Sequence, residues 1–141
     1  MASTTPEVDE QQWASAFAAK ADAAFDASFS EDVVLEASAL RTPVRGRDDV
    51  AAVMGAASRT YESLVFVHEG SGPHRTYLEW RAEAFGGTEL LGITVLTKDA
   101  SGVITHIAIH HRPLDAALQF SRHLGEQMAG RLDRSHFYDG A

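Results

Sequence analysis

The sequence predicts an α+β domain in which a long, curved antiparallel sheet wraps around helices, and three observations predict it. Apolar residues recur at three- and four-residue spacing at both ends of the chain. Between them, residues 61–112 read as consecutive extended runs. Turn-forming breaks at Gly70-Ser71-Gly72-Pro73, Gly86-Gly87 and Asp99-Ala100-Ser101-Gly102 cut that middle into strand-length pieces. A chain of 141 residues is expected to form one domain over 1–141, with 1–5 and 133–141 as loose tails.

The first helix is signalled by Thr5-Pro6-Glu7, a capping residue, a proline suited to the first helical position and an acid for the first turn. Trp13 and Phe17 then share a face. A second helical stretch runs from about Asp22, pairing Phe25 with Phe29, and the polar Ser30-Glu31-Asp32 ends it. Val33–Ala37 reads as a strand, 42–46 as a short link, and Asp48-Asp49 open a helix with Val50, Val53, Met54 and Ala57 as its apolar stripe. Four strands follow, over Leu64–His68, Thr76–Phe85, Leu90–Thr97 and Val103–His111. Pro113 stops strand pairing, and a last helix spans Leu114 to about Leu132. In the segment after it, Phe137 and Tyr138 are the residues able to pin the chain down. A curved sheet around helices forms a cone, whose interior is where a small ligand would sit.

Twelve basic against twenty acidic residues give a net charge of -8. Such a field repels phosphate backbones, and no basic amphipathic stretch favours an anionic membrane, so neither nucleic acid nor membrane is an expected partner. The absence of cysteine excludes disulfides, thiolate nucleophiles and cysteine metal sites. His106 and His110, four apart on a strand, lie ~13 Å from one another, and His110 and His111 point to opposite faces, so no metal or other cofactor is expected. No apolar run reaches the ~18–20 residues a bilayer span needs, and Met1–Glu10 lacks the pattern of a signal peptide, so the expected compartment is the cytoplasm.

The segments Ser30–Glu36, Val44-Arg45-Gly46-Arg47-Asp48-Asp49-Val50 and Gly92–Ile104 resemble, in order and spacing, the entry strand, helix start and penultimate hairpin of nuclear-transport-factor-2-like proteins. The resemblance covers roughly residues 8–120 and points to the SnoaL-like and ketosteroid-isomerase-like branch. It implies a cone-shaped fold and small-molecule handling, by catalysis or by binding alone. It places the isomerases' general-base aspartate near Ala37, their oxyanion-stabilising tyrosine near Trp13, their protonated aspartate at Thr94 and a pocket aromatic at His111. The last aspartate of the epoxide hydrolases of this fold falls near Ile109, and the SnoaL-like base near His110 and His111. The carboxylates of the isomerases and hydrolases are thus missing, and a histidine base is the reading least contradicted.

Strand alternation assigns faces. Ile107, Ile109 and His111 share one face of the last strand; His106, His110 and Arg112 share the other. A two-residue turn at Ala100-Ser101 would set Thr94 opposite Ile107. The Gly86-Gly87 break leaves two registers open, one sending Tyr77, Glu79 and Arg81 inward, the other Leu78, Trp80 and Ala82; the second avoids burying charges. Candidate catalytic residues are therefore His111 as base and Thr94 as donor, and candidate ligand-binding residues are Trp13, Phe17, Phe29, Leu35, Phe66, His68, Trp80, Ile107 and Ile109. The expected partners are a small apolar or cyclic ligand and a second copy of the chain, docked through the convex sheet face carrying Glu79, Arg81, Leu91, Ile93 and Val95.

Overall fold

The computed structural model describes residues 10–139. The signals at Thr5-Pro6-Glu7 lie outside that range. The elements run α1 (Glu10–Ala19), α2 (Ala23–Asp26), β1 (Phe29–Ala37), β2 (Val44–Arg45), α3 (Arg47–Thr60), β3 (Ser63–Ser71), β4 (Arg75–Ala84), β5 (Thr88–Lys98), β6 (Ile104–Arg112) and α4 (Leu114–Gln127). The strands form one curved, unclosed six-stranded sheet in the order β2-β1-β6-β5-β4-β3. The α+β architecture is the one expected from the sequence.

Two elements differ from expectation. Phe29 does not extend the second helix, which stops at Asp26; it opens β1, with Ile104 as its partner across a parallel pairing to β6. Phe25 and Phe29 are both buried, so they share the core without sharing a helix face. The segment read as a plain link contains β2, whose Val44 and Arg45 pair antiparallel with Leu35 and Val34 of β1.

The long hairpins keep the expected faces but shift their registers by two residues. Between β5 and β6, Thr94 faces Ile109 and Gly92 faces His111. The turn is longer than two residues because Asp99 builds a loop of its own. Its carboxylate accepts hydrogen bonds from the Ser101 N–H, the Ser101 hydroxyl and the Val103 N–H, at 2.9, 2.7 and 3.1 Å. These bonds, the hydroxyl first, hold the Asp99 carboxyl below the usual carboxylate range. Between β4 and β5, the three residues Phe85-Gly86-Gly87 separate paired Ala84 and Thr88, so Leu78 faces Thr94 and Trp80 faces Gly92. A shift of two preserves which side each residue takes. Thr76, Leu78, Trp80, Ala82 and Ala84 are accordingly buried, while Tyr77, Arg81 and Glu83 are exposed.

After α4, residues 133–138 fold back onto the domain, where a loose tail was expected. Phe137 is buried and bridges Leu40, the Arg41 N–H donates to the His136 carbonyl, and the Tyr138 N–H donates to Ser121 Oγ at 2.8 Å. Gly125 in α4 lets the segment pack closely, because a Cβ there would stand 3.2 Å from that of Phe137. Among the described residues no helix is long and apolar enough to cross a membrane.

Candidate functional site

The concave face of the sheet, α1, α3 and α4 enclose a narrow cavity of about 30 Å³, room for about two waters. Its walls are aromatic and aliphatic. Trp13 and Phe17 come from α1, where a four-residue spacing puts them on one face, with ring centroids 5.7 Å apart. Leu35 and Ala37 come from β1, Phe66 from β3, Trp80 from β4, Thr94 from β5, and Ile109 and His111 from β6. Tyr61, at the end of α3, stacks on Phe120 of α4 with centroids 5.3 Å apart and planes 7° from parallel.

Three polar side chains punctuate this surface. Trp80 Nε1 donates to Thr94 Oγ1 at 2.9 Å, so the threonine oxygen is occupied as an acceptor while its O–H proton remains to donate. The geometry depends on Gly92. It lies between Trp80 on one neighbouring strand and His111 on the other, and a Cβ on it would run into the Trp80 indole. The absent side chain lets the indole lie across β5 toward His111, whose ring centroid is 5.6 Å away.

His111 is the second polar residue. As a whole it is half-buried, but its Nδ1 is sealed from solvent and has no hydrogen-bond partner among the described residues. Its ring sits between those of Trp80 and Phe120, and its backbone N–H donates to Ser38 Oγ at 3.0 Å. Burial, with the neighbouring His110 charge as a lesser cause, pushes its pKa down to about 4. At neutral pH the imidazole is therefore uncharged, with one ring nitrogen able to accept. Tyr61 is the third. Burial raises its pKa, keeping the hydroxyl protonated as a donor. Among the described lining residues there is no carboxylate, lysine or arginine. The position near which a ketosteroid isomerase base was expected, Ala37, lines the cavity as a methyl group.

Of the residues singled out from the sequence, Trp13, Phe17, Leu35, Phe66, Trp80, Thr94, Ile109 and His111 line the cavity. Phe29 and Ile107 are buried in the surrounding core but do not line it. His68 is exposed on the outer face. An irregularity between Phe66 and His68 sets Phe66 opposite inward-facing Trp80 but His68 opposite outward-facing Glu79. Such a bulge inverts the alternation and cannot be read from residue types. His106 also faces outward, with Nε2 2.9 Å from Glu36 Oε1. Among the described residues no group of three or more histidine, aspartate or glutamate side chains is placed to hold a metal ion.

Sequence reasoning missed Tyr61 and Phe120. Phe120 was legible as part of the α4 apolar stripe, whereas Tyr61, in the helix-to-strand turn, carries no periodic signal. Gly92 had a signal that was passed over: an isolated glycine inside an apolar strand marks a close approach.

No family model and no curated protein matches the chain. Solved structures do. A bacterial protein with a cystatin-like fold from Silicibacter pomeroyi DSS-3 superposes with a TM-score of 0.80 at 19% identity, over 91% of this chain and 89% of that one. A steroid delta-isomerase from Pseudomonas aeruginosa gives 0.77 at 19% identity, over 84% and 88%. A protein with a ketosteroid isomerase-like fold from Catenulispora acidiphila DSM 44928, in complex with trimethylamine, gives 0.65 at 18% identity, over 84% and 94%. The chain shares the fold of these structures and of an ntf2-like protein from Mesorhizobium loti, the cone-shaped fold that the sequence motifs implied.

Proposed function

We propose that this protein holds a small, mostly apolar molecule inside its cone, cyclic or polyketide-like in the SnoaL-like manner, with His111 as the polar anchor. The observation that carries the reading is that His111, whose Nδ1 is sealed and unpartnered among the described residues, lines a cavity walled mainly by aromatic and aliphatic side chains. A buried polar atom without a partner costs about 1–3 kcal/mol, and a ligand hydroxyl or carbonyl offering a hydrogen bond recovers it. The Catenulispora neighbour is in complex with trimethylamine, which is in keeping with a small ligand for a protein of this fold.

The chemistry such a site supports is cofactor-free proton transfer. Neutral His111 takes a proton from the ligand, and the O–H groups of Thr94 and Tyr61, with the Trp13 indole N–H, donate to the charge that develops. The cavity has room for about two waters, so a ligand carrying even one ring requires its aromatic walls to move outward. A second reading, binding without turnover, is favoured by the same burial. An imidazole held near a pKa of about 4 is a weak base toward carbon acids at neutral pH.

A melting-temperature screen against single-ring and fused-ring phenols and ketones, with His111→Phe run beside the native chain, tests the reading. A ligand present at 100 times its Kd adds about 2.7 kcal/mol of apparent stability. A hit weakened by His111→Phe supports the anchor, and deuterium uptake from solvent at the ligand's α-carbon separates catalysis from passive binding. No hit across the panel, with the protein fully stable, overturns the reading in favour of a protein-interaction module. We further propose a homodimer through the convex face, where Tyr77 and Ile93 are 42% and 43% exposed amid Glu79, Arg81 and Arg112. Sedimentation of the native chain against Ile93→Lys checks it, and a native chain sedimenting as a monomer would refute it.

A further inference from the structure

Against the outside of the cavity wall lies a second, larger space of about 160 Å³, a groove between α1, the end of α3 and the start of β3. The two spaces share four lining side chains, Phe17, Tyr61, Leu64 and Phe66. No backbone element needs to part them: aromatic and leucine side chains that change rotamer suffice to connect one to the other. Phe17 and Phe66 meet edge to face across this wall at 6.5 Å, and both are half-buried, unlike the fully packed Phe25 and Phe120.

The groove differs from the cavity in carrying charge. Lys20 follows the last residue of α1 with φ +55°, a left-handed conformation that glycine would hold at no steric cost. Its Nζ donates to the Tyr61 carbonyl at 3.1 Å. An ammonium has three donors, so two remain. Two acids stand nearby, each with one oxygen bonded: Asp22 Oδ1 pairs with Arg59 at 3.1 Å, and Glu62, which itself lines the groove, accepts from the Gly86 N–H through Oε2 at 2.8 Å. Lys20 thus stands at the groove with a backbone carbonyl, and no carboxylate, as its partner among the described residues.

We infer that the cavity and the groove are two chambers of one site, which takes an apolar molecule whose inner end reaches His111 and whose outer end is a carboxylate held by Lys20. The inference rests on the reading of His111 as the inner anchor and adds the ligand's length and outer chemistry. The inner chamber accepts a ring once the shared aromatic side chains turn aside to widen it; the outer one accepts a charge that can keep most of its hydration.

The probes are 6-(4-hydroxyphenyl)hexanoate, its primary amide and 6-phenylhexanoate, titrated by tryptophan fluorescence. The native chain is expected to bind the acid about three- to fivefold more tightly than the amide, the range of an exposed charge pair. That preference should vanish in Lys20→Gln, survive in Lys20→Arg, and shrink as salt is raised. Equal binding of acid and amide, or a preference that persists in Lys20→Gln, overturns the inference. The hydroxyl comparison is separate. If the phenol outperforms 6-phenylhexanoate in a His111-dependent way while acid and amide bind alike, the inner anchor stands and the second chamber falls. If none of the three binds, both fall.

Discussion

Gly92→Ala is the sharpest single perturbation of the site, because one methyl group meets the residue that organises the cavity. A Cβ at position 92 would overlap the six-membered ring of the Trp80 indole. The clash involves the body of a buried ring, not the end of a flexible chain, so relief requires Trp80 to tilt or β5 to move away from β4. Overpacking of this kind costs about 1–3 kcal/mol. Tilting the indole also breaks the 2.9 Å bond from Nε1 to Thr94 Oγ1, worth about 1 kcal/mol net. The total of about 2–4 kcal/mol lowers the melting temperature of a domain this size by about 6–14 °C. Thermal unfolding followed by near-ultraviolet circular dichroism reads both the stability and the tryptophan environment. Gly70→Ala is the control, since nothing lies within 4 Å of the Cβ it adds. A Gly92→Ala protein as stable as Gly70→Ala, with an unchanged tryptophan signal, would refute the close packing of Trp80 over β5.

Other outcomes follow from the same geometry. Folded His111 has its pKa depressed to about 4, against an ordinary value of 6.5, so the unfolded chain binds more protons between those values. Its contribution is fully present above pH 6.5 and lost as pH falls toward 4, by up to about 3 kcal/mol; urea unfolding at successive pH values should show this loss in the native chain and its removal in His111→Phe. At neutral pH His111→Phe is expected to be neutral or stabilising, because it replaces an unpartnered buried nitrogen with carbon, and a melt at pH 7 reads the sign. Thr94→Val strands the buried Trp80 N–H and should cost about 1–3 kcal/mol in denaturant unfolding. Phe137→Ala should undock the C-terminal segment, cost about 3–5 kcal/mol, and speed hydrogen exchange at the Arg41 and Tyr138 amides, which bond across that junction.

Much of the fold was legible because strand faces follow a two-residue period. The turn at 99–102 was assigned the wrong length, and the loop at 85–87 has three residues, yet Trp80, Thr94 and His111 still took the expected side, since each register moved by two. The electrostatic argument against burying Glu79, Arg81 and Glu83 together chose the right face of β4 without knowing the register. What failed were places where backbone irregularity, not residue type, sets direction. The irregularity after Phe66 turned His68 outward. Phe29 has helix spacing to Phe25, but its burial comes from the start of a strand. The docked C-terminal segment makes a close approach at Gly125 that only the folded helix reveals.

The central claim is that His111 is a neutral, unsatisfied group waiting for a ligand inside an aromatic cavity. Nitrogen-15 NMR of the imidazole, titrated from pH 8 to pH 3.5 with and without 4-ethylphenol, tests it directly. His111 is expected to stay neutral until the pH approaches about 4, and 4-ethylphenol is expected to move its Nδ1 resonance at neutral pH. A His111 that titrates near the ordinary 6.5 and ignores the phenol would contradict it.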